Sequence, residues 1–255
     1  MHGSVSQLSM KVYIGILLAC LLPLGVVAQT VQLARNGHTP DTNVSQTRSL
    51  TLAERHVLPL FGEMGKTSAQ IDEEIRFLSE CDKMFASRDE ASTFFATRGW
   101  EYLQEGQLDT ATYRFNLAYL LNDKNIDAYW GLGVVCYQKD KLVDAERMLR
   151  RGVDLSPDNV ALLVDLSTVE LKHYALVSEV EDLNEADRVL KHAAVLDSTY
   201  AQTYYNLALI EYYRGNFDKS WEHLHNGRKL NFSLINLQFV DLLREKLPDP
   251  QGFFK

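Results

Sequence analysis

The 255-residue chain has few of the residues that carry most recognisable chemistry. It holds only three cysteines, with no C-x-x-C pair and no Cys/His spacing of the kind that builds a structural zinc site. G-x-S-x-G, H-E-x-x-H and phosphate-loop sequences are missing, so nothing marks a nucleophile, a metalloprotease centre or a nucleotide cradle. Lys and Arg total 26 against 34 Asp and Glu, a net charge of −8. That balance excludes a nucleic-acid surface, which needs clustered cations to displace phosphate counterions. The one basic cluster, Arg147, Arg150 and Arg151, alternates with acids and reads as a solvated helix face.

Long apolar runs are also scarce. The single one is the 17-residue stretch from Val12 to Ala28 after Lys11, interrupted by Pro23 and Gly25. A positive residue, a short apolar core and a small-residue boundary describe a secretory signal peptide, 1–28, cleaved after Ala28. The run is shorter than the ~20 residues of a spanning helix. Lipidation of Cys20 within Leu-Leu-Ala-Cys is the alternative processing, although the following residues stay apolar. The protein is therefore expected in the periplasm or cell envelope, secreted or lipid-anchored, and to meet a membrane only through Cys20 or a retained signal. Cys81 and Cys136 fall in apolar helical patterns and read as small buried hydrophobes, with one disulfide between them left open.

What the chain has is periodicity. Residues 29–66 form a polar leader ending in a short apolar docking piece, 50–61, that Pro59 and Gly62 break. Thr67 and Gln70 make a capping box for an amphipathic helix at 68–86, and Ser87 with Glu90 makes the next. From there a helical hairpin recurs. Ala111 and Ala145 are 34 residues apart, and so are Ala186 and Ser220; the step from Ala145 to Ala186 is 41. The third repeat thus carries seven extra residues, placed near 173–179 between its two helices. The first helix of each hairpin offers a small residue (Gly99, Gly133, Ser167, Ala208) and the second returns one, so that the two approach closely. A last amphipathic segment at 233–246, stopped by Pro248 and Pro250, reads as a cap, with a loose tail at 251–255 behind it and a tuck-back of Phe253-Phe254 as the alternative.

These residues resemble the tetratricopeptide repeat (TPR) family. Its pattern W-x2-L-G-x2-Y, A-x3-F, P is met most fully by Leu132, Gly133, Ala145 and Pro157, with Tyr129, Cys136 and Leu149 in its aromatic slots. Phe95, Gly99, Tyr102, Ala111 and Phe115 carry the first copy, Leu163, Leu166, Ala186 and Leu190 the third, and Tyr204, Leu207, Ala208, Gly215 and Leu224 the fourth. Departures are Arg98, Asp123, Ser220 and Phe232. The resemblance covers about 92–231 and extends to exported bacterial repeat proteins. It implies an all-α, right-handed helical-hairpin solenoid, four repeats over 88–231, flanked by the helix at 67–87 and a cap and tail at 232–255.

The resemblance further implies a non-enzymatic scaffold that binds a protein or peptide along a concave face, without cofactor or metal and as a monomer. Family positions on that face are Ala96, Trp100 and Leu103; Trp130, Val134 and Tyr137; Val164, Thr168 and Leu171; Tyr205, Leu209, Tyr212 and Tyr213. The expected contact residues are Trp100, Trp130, Tyr137, Tyr205, Tyr212 and Tyr213, aromatic anchors of the kind interfaces use. The Lys and Asn residues that clamp a terminal carboxylate in some TPR domains are missing from these places, apart from Lys172 nearby. The competing reading is that aromatic stripes at helical spacing are core. On balance the Trp100 end is expected to be covered by the N-terminal helix or leader, and the Tyr205 end to be open. A glycan or envelope-fragment carrier is the alternative function and a self-associating structural subunit a further one. His223 and His225 point different ways, His173 and His192 read as isolated, and the acids of 178–187 read as a solvated helix start rather than a calcium loop.

Overall fold

The computed structural model describes residues 50–255. The signal-like segment, Cys20 and most of the polar leader lie outside the described residues. Every regular element among the described residues is helical: α1 (Leu52–His56), a 3-10 turn (Pro59–Glu63), α2 (Ser68–Met84), α3 (Arg88–Gln104), α4 (Leu108–Leu121), α5 (Ile126–Gln138), α6 (Leu142–Leu155), α7 (Val160–Val177), α8 (Val180–Leu196), α9 (Ala201–Tyr213), α10 (Phe217–Leu230), a second 3-10 turn (Phe232–Leu234) and α11 (Leu237–Lys246). None of these helices is long and apolar enough to cross a membrane.

Helices α3 to α10 pair as four hairpins, and each hairpin turns through one left-handed residue. Gly106 (φ 74°) and Gly215 (φ 77°) fill that position in the first and fourth, where a missing Cβ makes the conformation cheap. Asp140 (φ 59°) and Ser178 (φ 60°) take it in the second and third. In the second hairpin the Asp140 and Lys141 N–H groups donate to Tyr137 and Cys136 carbonyls, closing the end of α5. Asn125 and Asn159 cap the next first helices by accepting from Ala128 and Leu162 N–H.

The close approach within hairpins is real and its partner is larger than a small residue. Phe115 of α4, fully buried, lies where a Cβ on Gly99 would sit 2.6 Å from its ring and one on Gly131 only 2.1 Å. In the second hairpin Gly133 faces Leu149 in the same way. In the fourth, Ser220 replaces alanine and its hydroxyl donates to the Ala208 carbonyl at 2.7 Å, so the helices stay close with the polar atom satisfied.

The seven extra residues of the third repeat are not a loop between its helices, as the spacing suggested. Helix α7 has 18 residues against 13 in α5, and α8 has 17 against 14 in α6, while the joining turn is two residues, Ser178 and Glu179. Residues 173–177 continue α7 because their composition, HYALV, contains no breaker.

Both ends of the stack are closed. At the first, Phe77 of α2 meets Phe95 edge-on at 5.4 Å, and Cys81 joins Ala91, Phe95 and Leu117 in one cluster. At the last, Val240 and Leu243 of α11 pack on Trp221 and Leu224. The tail is anchored rather than loose, with the Phe pair tucked back as the alternative reading allowed: Trp221 Nε1 donates to the Leu247 carbonyl at 2.9 Å, Phe254 stacks on Trp221, and Asp249 accepts from the Phe253 and Phe254 N–H groups. Buried Asp249 also meets buried His225 at 2.7 Å, and these hydrogen bonds hold its carboxyl below the ordinary range although burial opposes them.

The segment before α2 lies on α4. Leu60, Phe61 and Glu63 all have left-handed φ (51°, 55° and 52°) beside Gly62 (78°), a run that costs about 1–2 kcal/mol per non-glycine residue. Asn116, fully buried on α4, holds it. Its Oδ1 accepts the Leu60 N–H at 2.8 Å, and its Nδ2 donates to the His56 and Leu58 carbonyls. Buried Arg55 donates to the Phe61 carbonyl and to Gln70, and Glu63 pairs with Arg147 and Arg151 of α6. Asn116→Ala is expected to free residues 50–66. The measurement is limited proteolysis, with early cuts there in the variant and a resistant α3–α11 body, at a stability cost of about 1–3 kcal/mol for the unsatisfied groups.

Candidate partner groove

Successive first helices (α3, α5, α7, α9) contact one another more closely than successive second helices do. A stack tighter on one side curves toward that side, so the first helices line the concave face.

From the N-terminal end, Trp100 is half-buried. It crosses Trp130 edge-on at 5.7 Å and Phe115 at 5.2 Å, and its indole N–H points at Asp127 Oδ1, 3.4 Å away. Trp130 is 8% exposed and donates its indole N–H to Asp165 Oδ2 at 2.7 Å. Tyr137 carries the Lys172 ammonium 4.7 Å above its ring, and Lys172 also pairs with Asp140 at 2.6 Å. Tyr213 lies 4.9 Å from Tyr174 across α7 and α9. Burial pushes the Tyr213 phenol up to about 12, with Tyr174 and Tyr212 adding to it. The groove is thus aromatic walls with fixed polar points, the common composition of a recognition surface.

The openness expected at the C-terminal end does not hold for Tyr205 and Tyr212. Tyr205 is 7% exposed, its ring lies where a Cβ on Gly227 would come within 3.0 Å of it, and its hydroxyl donates to the Asn231 carbonyl at 2.7 Å. It is a strut of the fourth hairpin and no part of an open end. Tyr212 meets Phe217 at 5.8 Å and Phe239 of α11 at 5.6 Å, so the cap occupies it. The N-terminal segment from residue 50 engages α4 and α6, the outer helices, and leaves Trp100 half-exposed. Of the six expected contact residues, Trp100, Trp130, Tyr137 and Tyr213 share the first-helix wall, whereas Tyr205 and Tyr212 belong to packing at the C-terminal end.

One residue of the groove was missed. Asp165 of α7 is half-buried, its hydrogen-bond donor is the Trp130 indole, and among the described residues no cation pairs with it. Burial drives its carboxyl up to about 7 and the indole hydrogen bond pulls the other way. Its charge also helps to raise the neighbouring Tyr200 phenol, which burial carries to about 12. The signal in the sequence was an acid inside an apolar run, VALLVDLSTVEL.

Behind the groove, Asn206 of α9 donates to the Ser167 and Thr168 hydroxyls at 3.0 Å and accepts from Gln202, tying α7 to α9. Cys81 and Cys136 are both free and buried, in separate clusters; burial carries the Cys136 thiol up to about 12. His173 is not isolated: its Nδ1 lies 2.7 Å from Asp182. His223 faces Tyr204 and His225 faces Asp249, so the two point apart as their spacing requires.

No protein-family model matches the chain. Among curated proteins, 136 residues, 51% of the chain, are 26% identical to RNA polymerase-associated protein CTR9 of Caenorhabditis elegans, and the match spans 11% of that protein's length. Among solved structures, PilF of Pseudomonas aeruginosa superposes with a TM-score of 0.53 at 24% identity, over 65% of this chain and 74% of that one. A thermophilic TPR protein of Thermus thermophilus gives 0.53 at 18%, covering 63% and 93%. MamA gives 0.51 at 20%, covering 65% and 88%. Hairpin geometry, small-residue register and these superpositions agree: the chain carries the tetratricopeptide-repeat fold.

Proposed function

We propose that this chain is an exported, non-catalytic adaptor that holds an extended segment of a partner protein in the first-helix groove, and that Asp165 reads a basic side chain of that segment. The fold supports a protein or peptide partner, and the observation that carries the finer reading is the Trp130–Asp165 pair. The indole fixes one carboxylate oxygen at 2.7 Å and no cation of the described residues takes the other. A half-buried carboxylate in an aromatic trough is costly by itself and favourable once a Lys or Arg meets it. Trp100, Tyr137 and Tyr213 supply flat apolar surface on either side for neighbouring residues of the segment. The signal-like stretch at 12–28 supports export.

The test is selection of binders from a random peptide library on the immobilised protein. Enrichment of peptides with Lys or Arg beside aromatic or aliphatic residues is the expected outcome. Their affinity should fall at least about tenfold in Asp165→Asn, the cost of removing one partner of a desolvated charge pair being about 2–5 kcal/mol. Trp100→Ala should weaken the same peptides. Selected peptides that bind both variants as tightly as the wild type would rule the groove out.

A further inference from the structure

The third repeat lengthens both of its helices, and the lengthening brings together three groups with metal-binding atoms. His173 in the last turns of α7, Glu179 at the start of α8 and Asp182 one turn later offer one imidazole nitrogen and two carboxylate oxygens, all within 4.8 Å of one another. The left-handed Ser178 makes the reversal that allows this, since it turns the chain between the two extended helices within two residues. His173 Nδ1 and Asp182 Oδ2 are already 2.7 Å apart, with side chains 27% and 12% exposed, so their positions are set by packing. Glu179 is exposed and its side chain is free to swing.

We infer that the elongated third hairpin is a binding site for a divalent transition-metal ion, with His173, Glu179 and Asp182 as its three protein ligands. Tetrahedral bonds of about 2.0–2.2 Å place two ligand atoms roughly 3.3–3.6 Å apart, so the His173–Asp182 pair opens by under about 1 Å while Glu179 closes in. Water completes the shell. An imidazole nitrogen with two carboxylates suits Zn2+ and its neighbours, whereas Ca2+ takes six to eight oxygens and is undersupplied here. The other His–carboxylate contacts offer less: His192 has Asp158 alone, 44% exposed against 73%, and His225–Asp249 is sealed at 1% exposure on each side. The N-terminus of α8 disfavours a cation, and the Glu179 and Asp182 carboxylates at that end offset it. A metal here would pin α7 and α8 to each other at the rim of the stack.

The experiment is calorimetric titration of the full chain with zinc chloride, followed by His173→Gln, Glu179→Gln and His192→Gln. His173→Gln keeps a donor for Asp182 and removes the imidazole, so the helix contact and the fold are retained, as circular dichroism would verify. The inference expects one Zn2+ per chain, affinity reduced at least about tenfold in His173→Gln and Glu179→Gln, and no change in His192→Gln. It also expects a zinc-dependent rise in the unfolding temperature that His173→Gln abolishes. Identical titrations of wild type and His173→Gln, or no heat at all, would overturn it and leave the His173–Asp182 pair as a structural contact only.

Discussion

Phe115→Ala is expected to lower the stability of the stack by about 3–5 kcal/mol, read from urea unfolding. The ring is fully buried and fills a slot with two glycine walls, Gly99 of its own hairpin and Gly131 of the next. Removing it deletes the transfer energy of an aromatic side chain and leaves a cavity that helices packed on both sides cannot collapse. It also takes away the edge that Trp100 rests on, 5.2 Å between centroids. Because adjacent hairpins stabilise one another, the loss should appear as a lower midpoint with a broader transition. Gly131→Ala approaches the same slot from the other side: its Cβ would lie 2.1 Å from the ring, and overpacking of that kind costs about 1–3 kcal/mol. A change under about 1 kcal/mol in Phe115→Ala would mean that the hairpins do not share this slot.

Asp165→Asn is expected to stabilise the protein while it weakens binding. The carboxyl ordinarily ionises near 3.8, and burial carries it to about 7 in the fold. A folded value above the unfolded one means that the neutral form is favoured on folding. That stabilisation is fully present below about pH 3.8 and lost as pH rises through about 7. Asparagine cannot ionise, so the variant should gain on the wild type across that window, by an amount on the order of 2–3 kcal/mol at pH 8 once solvent access to the half-buried group is allowed for. Glu170, which burial raises to about 8 against the pull of Arg150, loses stability in the same direction and is common to both proteins. The difference between their two pH profiles therefore isolates Asp165. Parallel profiles would show that the carboxylate is well solvated and would remove the argument for a basic partner residue. A binding group kept at the expense of stability is the usual trade at a functional site.

The repeat architecture was legible because hairpin packing demands small residues at fixed intervals, and Gly99, Gly133, Ala145, Ala186 and Ser220 mark those intervals directly. The position of the seven extra residues was not, because a spacing of 41 counts residues without saying whether they coil or extend a helix; HYALV continues α7. The aromatic positions were legible as a set and misjudged as individuals. Tyr205 and Trp130 occupy equivalent repeat positions, yet the hydroxyl of Tyr205 finds the Asn231 carbonyl while the Trp130 indole finds Asp165 in the groove. Such choices depend on the neighbouring repeat, and no single-copy pattern contains them. Asn116 was invisible for the same reason: its three hydrogen bonds reach residues 56 to 60 positions earlier. The Phe253-Phe254 pair points to a tucked tail as the alternative to a loose one, but composition does not show that Asp249 collects its backbone N–H groups over Trp221.

In the proposed mode of binding, the first-helix groove receives a basic segment at Asp165. The most direct test is a crystal structure of the protein with a peptide selected from the library. The expected result is an extended peptide along α5, α7 and α9, with a Lys or Arg nitrogen within hydrogen-bond distance of the Asp165 oxygen that Trp130 does not hold. A peptide seated on the second helices, or one that crosses the groove and leaves Asp165 in water, would contradict it.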